Sequence, residues 1–277
     1  MPYAPNLITS QSGVNMKIVI LILTLFLSSC CDRQEVYTQE TITSDFKIGK
    51  VGSPGNQTPI YKDTLGNVFG YYEYLPKNFN SRDNHALIFY WNGANAISGD
   101  GNSQLNNLLT QGLSKNINDG QHYPAIIISA MLSNWKKDDV HPFVSYILKK
   151  YKGHYNPQQV YMTGFSAGGG ITIRYAADHP KRIAAIVPIA AAVIKPTPNQ
   201  PSKAMAAIPS WLFHNKGDTK VESWRSISWH KALLNTGGNH KLTLYDSNSH
   251  YAWQEVYSND DMWSWLFSHK KKLASRE

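Results

Sequence analysis

A serine flanked by glycines two residues to either side, Gly164-Phe165-Ser166-Ala167-Gly168, fits the spacing G-x-S-x-G. Chemistry explains the pattern. A nucleophilic serine must stand on a sharp strand-to-helix turn, and glycines at those positions let the strand and helix pass closely. The same turn presents the amide of Ala167 at a helix N-terminus, where it can receive a developing oxyanion. Alone the pentapeptide is a weak signal, because glycine-rich loops produce it by chance. Its flanks strengthen it. "VYMT" before it predicts a strand, and "ITIRYAADHP" after it predicts a helix, which is the context such an elbow requires.

Serine is a poor nucleophile at its own pKa and needs a base held in place by a carboxylate. With a serine on such an elbow, the acid and then the histidine are expected further along the chain. Asp218 in "FHNKGDTKV" and His250 in "YDSNSHYAW" each follow a predicted strand. Both therefore fall at strand carboxyl ends, on the rim expected for Ser166. Rival residues fit less well. His214 sits within or at the end of its strand and suits a structural role. His179 stands beside Pro180 at a helix end. Asp178 points the wrong way along its helix, and Asp246 is a weaker alternative to Asp218.

The elements that must position these residues alternate between strand and helix. "NVFGYYEYLP" predicts an outer antiparallel strand ending at a proline. "HALIFYWNG", "YPAIIISAM", "QQVYMTGFS" and "RIAAIVPIAAA" are apolar runs that predict strands buried on both faces. "IPSWLFHNKGD" and "HKLTLYDSNSH" predict strands leading into polar turns. Helices are predicted over Ser103–Ile117, Asp138–Tyr151, the segment after Ser166, Val221–Gly238 and "DMWSWLFSHKK". Such alternation implies a mostly parallel sheet covered on both faces, with its site at the strand carboxyl ends.

The N-terminus reads differently. Met16-Lys17 is followed by "IVILILTLFL" and then "SSC". That is a short basic start, an apolar run and small residues before a cysteine. The run is shorter than the about 20 residues that span a bilayer, so a cleaved signal peptide is expected. "LSSC" resembles the bacterial lipobox, which implies cleavage before Cys30 and a lipid on that cysteine. Cys30 and Cys31 are the chain's 2 cysteines, so no disulfide is expected in the domain. The expected organisation is 1–29 as extension and signal peptide, 30–45 as a polar tether, and 46–277 as one domain. Met16 is the expected start. The expected location is the cell envelope, on the extracytoplasmic side.

The net charge is +8, but the basic residues are dispersed and Lys270–Lys272 is the one tight cluster. A nucleic-acid groove would need clustered charge, so none is expected. Hydrophobic content of 42% against 17% charged excludes a disordered chain. No metal-ligand spacing, P-loop or dinucleotide fingerprint is present, so no metal or cofactor is expected. Trp91, Trp135, Trp211 and Trp253 lie near predicted strand ends. Trp91 and Trp253 are the two best placed to line a substrate cleft, against the simpler expectation that most are packing residues.

"TGFSAGG", "FHNKGDTKV" and "SHYAWQEVY" together resemble the α/β-hydrolase superfamily. They are most similar to its branch of secreted esterases and peptidase-like proteins, which includes feruloyl and acetylxylan esterases and polyhydroxybutyrate depolymerase-like proteins. The likeness runs from about Tyr71 to Leu266. It implies an α/β-hydrolase fold and a serine hydrolase acting on carboxylic esters of carbohydrate or polyester type. Ser166 would be the nucleophile, His250 the base and Asp218 its orienting acid. The amides of Ala167 and Ala94 would form the oxyanion hole. One departure stands out: relatives carry His-Gly where this chain has Asn92-Gly93, which bears on the shape of the loop holding Ala94. The resemblance also allows a peptidase of the same fold, or a silent scaffold that binds without turnover. The sequence contains no propeller or other gating domain, which favours esters over peptides.

Overall fold

The structure is a computed structural model. It describes residues 57–62, 69–77, 79, 84–96, 102–131, 140–193 and 203–272. The expected anchor Cys30, the tether and Trp135 lie outside them.

Apolar β-branched runs make the centre of the molecule. Among the described residues, eight strands form one sheet in the order β1 (Thr58–Ile60), β2 (Tyr71–Tyr74), β4 (Ala125–Ala130), β3 (His85–Trp91), β5 (Tyr155–Phe165), β6 (Ala185–Ile189), β7 (Ser210–Asn215) and β8 (His240–Tyr245). From β4 to β8 every neighbouring pair is parallel. β2 pairs antiparallel with both β1 and β4. The aromatic strand expected at the sheet's outer edge is thus antiparallel, as its alternation predicts, but β1 covers it and all four of its residues are buried.

Alternation along the strands divides the core in two. Leu87, Phe89 and Trp91 of β3 turn to one face, with Ile126 and Ile128 of β4. Ala86, Ile88 and Tyr90 turn to the other, with Ala125 and Ile127. Period-2 geometry requires this partition when both faces are covered. The first face is closed by α2 (Val140–Lys150), α3 (Ala167–Asp178) and α4 (Trp224–Leu234), through Phe143, Ile147, Ile173, Trp229 and Leu233. The second is closed by α1 (Gly112–Asn118), α5 (Trp253–Tyr257) and α6 (Asp260–Ser268), through Leu113, Ile117, Val256, Met262 and Leu266.

One predicted helix breaks. The helical spacing over Ser103–Ile117 resolves into a 3₁₀ turn, Leu105–Thr110, followed by α1. Gln111 between them is extended, and Gly112 has φ +65°. A Cβ at Gly112 would collide with the Tyr90 hydroxyl. A side chain from β3 therefore occupies the space a continuous helix would need, and the chain turns at the one residue that tolerates it.

Beneath β2 lies a buried ion pair. Lys150 Nζ donates to Glu73 Oε1 at 2.6 Å and to the Tyr71 hydroxyl at 2.9 Å, and the Tyr151 hydroxyl donates to the same Glu73 oxygen. Glu73 is 2% exposed and Lys150 6%. Burial and the adjacent Glu73 carboxylate raise the Tyr151 hydroxyl well above the usual phenol range. Removing one member of a buried pair leaves the other charge uncompensated. Lys150→Met is therefore expected to destabilise the fold by about 3–5 kcal/mol, measured by urea denaturation. A loss under about 1 kcal/mol would show that the pair is not held out of water.

Candidate active site

The parallel strands bring four loop starts to one rim: those after β3, β5, β7 and β8. Ser166 joins β5 to α3 with φ 55° and ψ −114°. This is a strained state for any residue with a Cβ, worth about 1–3 kcal/mol. Three backbone hydrogen bonds hold it. The Ser166 N–H donates to the Ile189 carbonyl at 2.9 Å, and the Ser166 carbonyl accepts from Gly170 N–H at 3.1 Å and Ala192 N–H at 2.9 Å. The flanking glycines are dictated by space. A Cβ at Gly168 would collide with the Trp91 carbonyl and come within 2.7 Å of the Asn92 carbonyl oxygen. One at Gly164 would stand 2.9 Å from the Trp91 carbonyl oxygen.

The structure brings Ser166, His250 and Asp218 together. His250 Nε2 lies 3.0 Å from Ser166 Oγ, and His250 Nδ1 lies 2.6 Å from Asp218 Oδ2. The loops carrying them are stitched across the ends of β7 and β8. Lys216 N–H donates to the Tyr245 carbonyl, Gly217 N–H to the Ser247 carbonyl, and Asn215 Nδ2 to the Ser249 carbonyl at 2.7 Å. Asp218 is 4% exposed. Its Oδ1 accepts the amides of Lys220 at 2.9 Å and Val221 at 3.0 Å, which leaves Oδ2 aimed at His250. The rival Asp246 is almost wholly exposed and lies 3.9 Å from Lys216 Nζ.

His214 is fully buried and satisfied on both nitrogens. Nδ1 lies 2.7 Å from Ser226 Oγ and Nε2 lies 2.8 Å from the Val221 carbonyl, with Asp218 Oδ2 at 3.3 Å. Burial lowers its pKa and favours the neutral ring. It supports the Asp218–Val221 turn from beneath. The spacing of His214 four residues before Asp218 is the sequence signal for this second support.

Ala167 is the first residue of α3, and its N–H belongs to the helix turn whose donors have no intrahelical acceptor. Ala94 opens a 3₁₀ turn, Ala94–Ala96, and is exposed. The preceding Gly93 packs against the Phe165 ring, next to Ser166. Asn92 fixes this loop. Its Oδ1 accepts from the Tyr90 hydroxyl at 3.0 Å and from Gly93 N–H at 2.8 Å, and its Nδ2 donates to the Leu108 carbonyl at 3.4 Å.

Two expectations are corrected. Trp91 does not line a cleft. It is 0% exposed and packs edge-on with Phe69 and Phe143, because it shares the inward face of β3 with Leu87 and Phe89. Trp253, the first residue of α5, is 5% exposed and packs into the core of the second face. Neither indole has a surface to offer a substrate. Trp211 lies near the opposite end of β7, with Lys241 Nζ 4.5 Å from its ring centroid. Among the described residues, no group of three or more His, Cys, Asp or Glu is placed to hold a metal.

Solved structures share this architecture. A thermostable esterase superposes with a TM-score of 0.58 at 21% identity, over 78% of this chain and 63% of that one. The chain thus spans less than two thirds of that esterase. A ferulic acid esterase gives 0.53 at 15% identity, over 76% and 96% respectively. The dipeptidyl peptidase 4 of Porphyromonas gingivalis gives 0.57 at 11% identity, over 78% and 36%. The fold is that of the α/β-hydrolases. A family model described as serine aminopeptidase, S33, matches residues 134–262, under half of the chain. No curated protein matches it in sequence.

Burial sets how the fold's stability responds to acid. His240, at the start of β8, has its pKa pushed down to about 4, first by burial and then by the charge of His230. His214 is lowered as well. Unfolded histidines titrate near about 6.5, so on acidification the unfolded chain takes up these protons first. The stability held in neutral His214 and His240 is complete above about pH 6.5 and is lost as pH falls through the depressed values. The melting temperature is expected to drop between pH 7 and pH 4.5. His240→Gln should flatten that slope in a calorimetric series, and an unchanged slope would contradict the assignment.

Proposed function

We propose that the protein is a serine hydrolase cleaving carboxylic esters, with Ser166 as nucleophile. The single observation that carries this is the hydrogen-bonded line Ser166–His250–Asp218 on a strained elbow. Ser166 Oγ attacks the ester carbonyl while its proton passes to His250 Nε2. The tetrahedral oxyanion is received by the Ala167 and Ala94 amides. Collapse breaks the C–O bond, and His250 returns the proton to the departing alcohol. Water, deprotonated by the same ring, then releases the acid and frees Ser166. Asp218 holds the ring with Nδ1–H inward and stabilises the imidazolium.

Ester cleavage is the preferred reading because this domain overlies a ferulic acid esterase along nearly its whole length. Substrates of carbohydrate or polyester type fit the proposed location, at the cell envelope and held by lipid on Cys30. Labelling with radioactive palmitate, lost in Cys30→Ser, tests that placement.

A fluorophosphonate probe should label the purified protein and fail on Ser166→Ala; equal labelling of both would refute the nucleophile. Asp218→Asn should keep the fold by circular dichroism and lower kcat by about 10⁴. Turnover of p-nitrophenyl acetate should exceed that of aminoacyl anilides, and the reverse order would favour a peptidase. Asn92→Ala should loosen the Ala94 loop and lower kcat more than it changes KM. The loss should reach at most the about 10²–10³ that one oxyanion donor supplies.

A further inference from the structure

We propose that Lys220 is a specificity-determining residue, favouring esters whose alcohol portion carries a negative charge. The inference rests on the serine-hydrolase assignment above. Lys220 is tied to the site by its own backbone, since its amide donates to Asp218 Oδ1 at 2.9 Å. The carboxylate that orients His250 therefore also fixes where the lysine side chain departs. Its ammonium stands 5.2 Å from the centroid of the Tyr251 ring. That ring centroid is 6.0 Å from those of both His250 and Phe165, the latter adjoining Ser166. A cation held over an aromatic face keeps its charge while its stem is restrained.

The neighbouring charges are otherwise engaged. Arg225 Nε holds Glu222 at 3.0 Å, and Lys216 lies 3.9 Å from Asp246. Asp218 is buried against His250 and two amides. Lys220 is exposed, and among the described residues no carboxylate is paired with it. Lys220 thus places over Tyr251, whose ring neighbours His250, a positive charge that no described carboxylate holds. His250 passes its proton to the leaving alcohol, so the alcohol portion of the substrate departs past His250, whose ring neighbours that of Tyr251. A carboxylate, sulfate or uronate on the alcohol portion would meet the ammonium without displacing any described carboxylate.

The test uses the full chain and two matched esters, 4-acetoxybenzoate and its methyl ester, which differ in the charge of the leaving group. The readout is the ratio of their kcat/KM values, so differences in intrinsic reactivity cancel between enzymes. Lys220→Met should lower the anionic-to-neutral ratio about 2–5-fold, the range of an exposed charge interaction, and Lys220→Arg should preserve it. Raising salt to about 1 M, where the Debye length is ~3 Å, should bring the wild-type ratio down to that of Lys220→Met. An unchanged ratio in Lys220→Met, or equal losses on both esters, overturns the proposal while leaving the hydrolase assignment standing. Absence of fluorophosphonate labelling at Ser166 overturns both.

Discussion

A backbone state at φ 55° and ψ −114° persists only when its surroundings over-determine it, and Ser166 depends on that restraint. The restraint comes from three chain segments. β5 ends at Phe165, just before Ser166, the Ile189 carbonyl at the end of β6 receives the Ser166 N–H, and Ala192 and Gly170 cap its carbonyl. The strand on the other side, β3, comes so near that Gly168 admits no Cβ. The central strands of the sheet are thus clamped around one peptide unit. The arrangement also explains why a serine can project at the rim at all. Its side chain is thrust out because the backbone on both sides is pinned inward.

His250 and Asp218 are held by a different device. Asp218 and His250 sit on loops that are long and polar, which by composition alone would be mobile. Hydrogen bonds between the β7 and β8 loops convert them into a single layer. His214 completes the support from below. A charged imidazolium there would compete with His250 for Asp218 Oδ2. Burial favours the neutral ring, and Asp218 Oδ2 lies closer to His250 Nδ1, at 2.6 Å, than to His214 Nε2, at 3.3 Å. The same burial ties the site to acid lability, because a neutral buried ring must take up a proton as the fold opens.

Much of this was legible in the sequence because it follows from local rules. The alternating apolar runs specify parallel strands covered on both faces, and the G-x-S-x-G flanks specify the elbow. What was not legible depends on contacts distant in sequence. The helix predicted over Ser103–Ile117 has acceptable spacing throughout, and only the Tyr90 hydroxyl, more than twenty positions earlier, breaks it at Gly112. β1 and α5 are too short to show a period. Trp91 is instructive in another way. Its position at a strand end suggests a rim, but it stands two residues after Phe89 and four after Leu87, and that parity assigns it to their inward face. Strand-end position sets height on the sheet, and parity sets which way the side chain points. Parity decides exposure when both faces are covered.

Asn92, which stands where the resemblance implied a histidine, keeps its loop in place. An imidazole at this position has one donor and one acceptor when neutral. The carboxamide makes three bonds at once, accepting from the Tyr90 hydroxyl and the Gly93 amide while donating to the Leu108 carbonyl. The Tyr90 hydroxyl that anchors it is the group that also forces the turn at Gly112. Asn92, Gly93 and the start of α1 are therefore positioned by one phenol from β3. Loss of that hydroxyl would loosen the loop carrying Ala94 and the helix entry together. The loop carrying Ala94 is anchored on the second face of the sheet, through Tyr90. The elbow's backbone is packed against α3 on the first. Ser166 lies where these two independently anchored layers meet, and its placement depends on the sheet between them staying rigid.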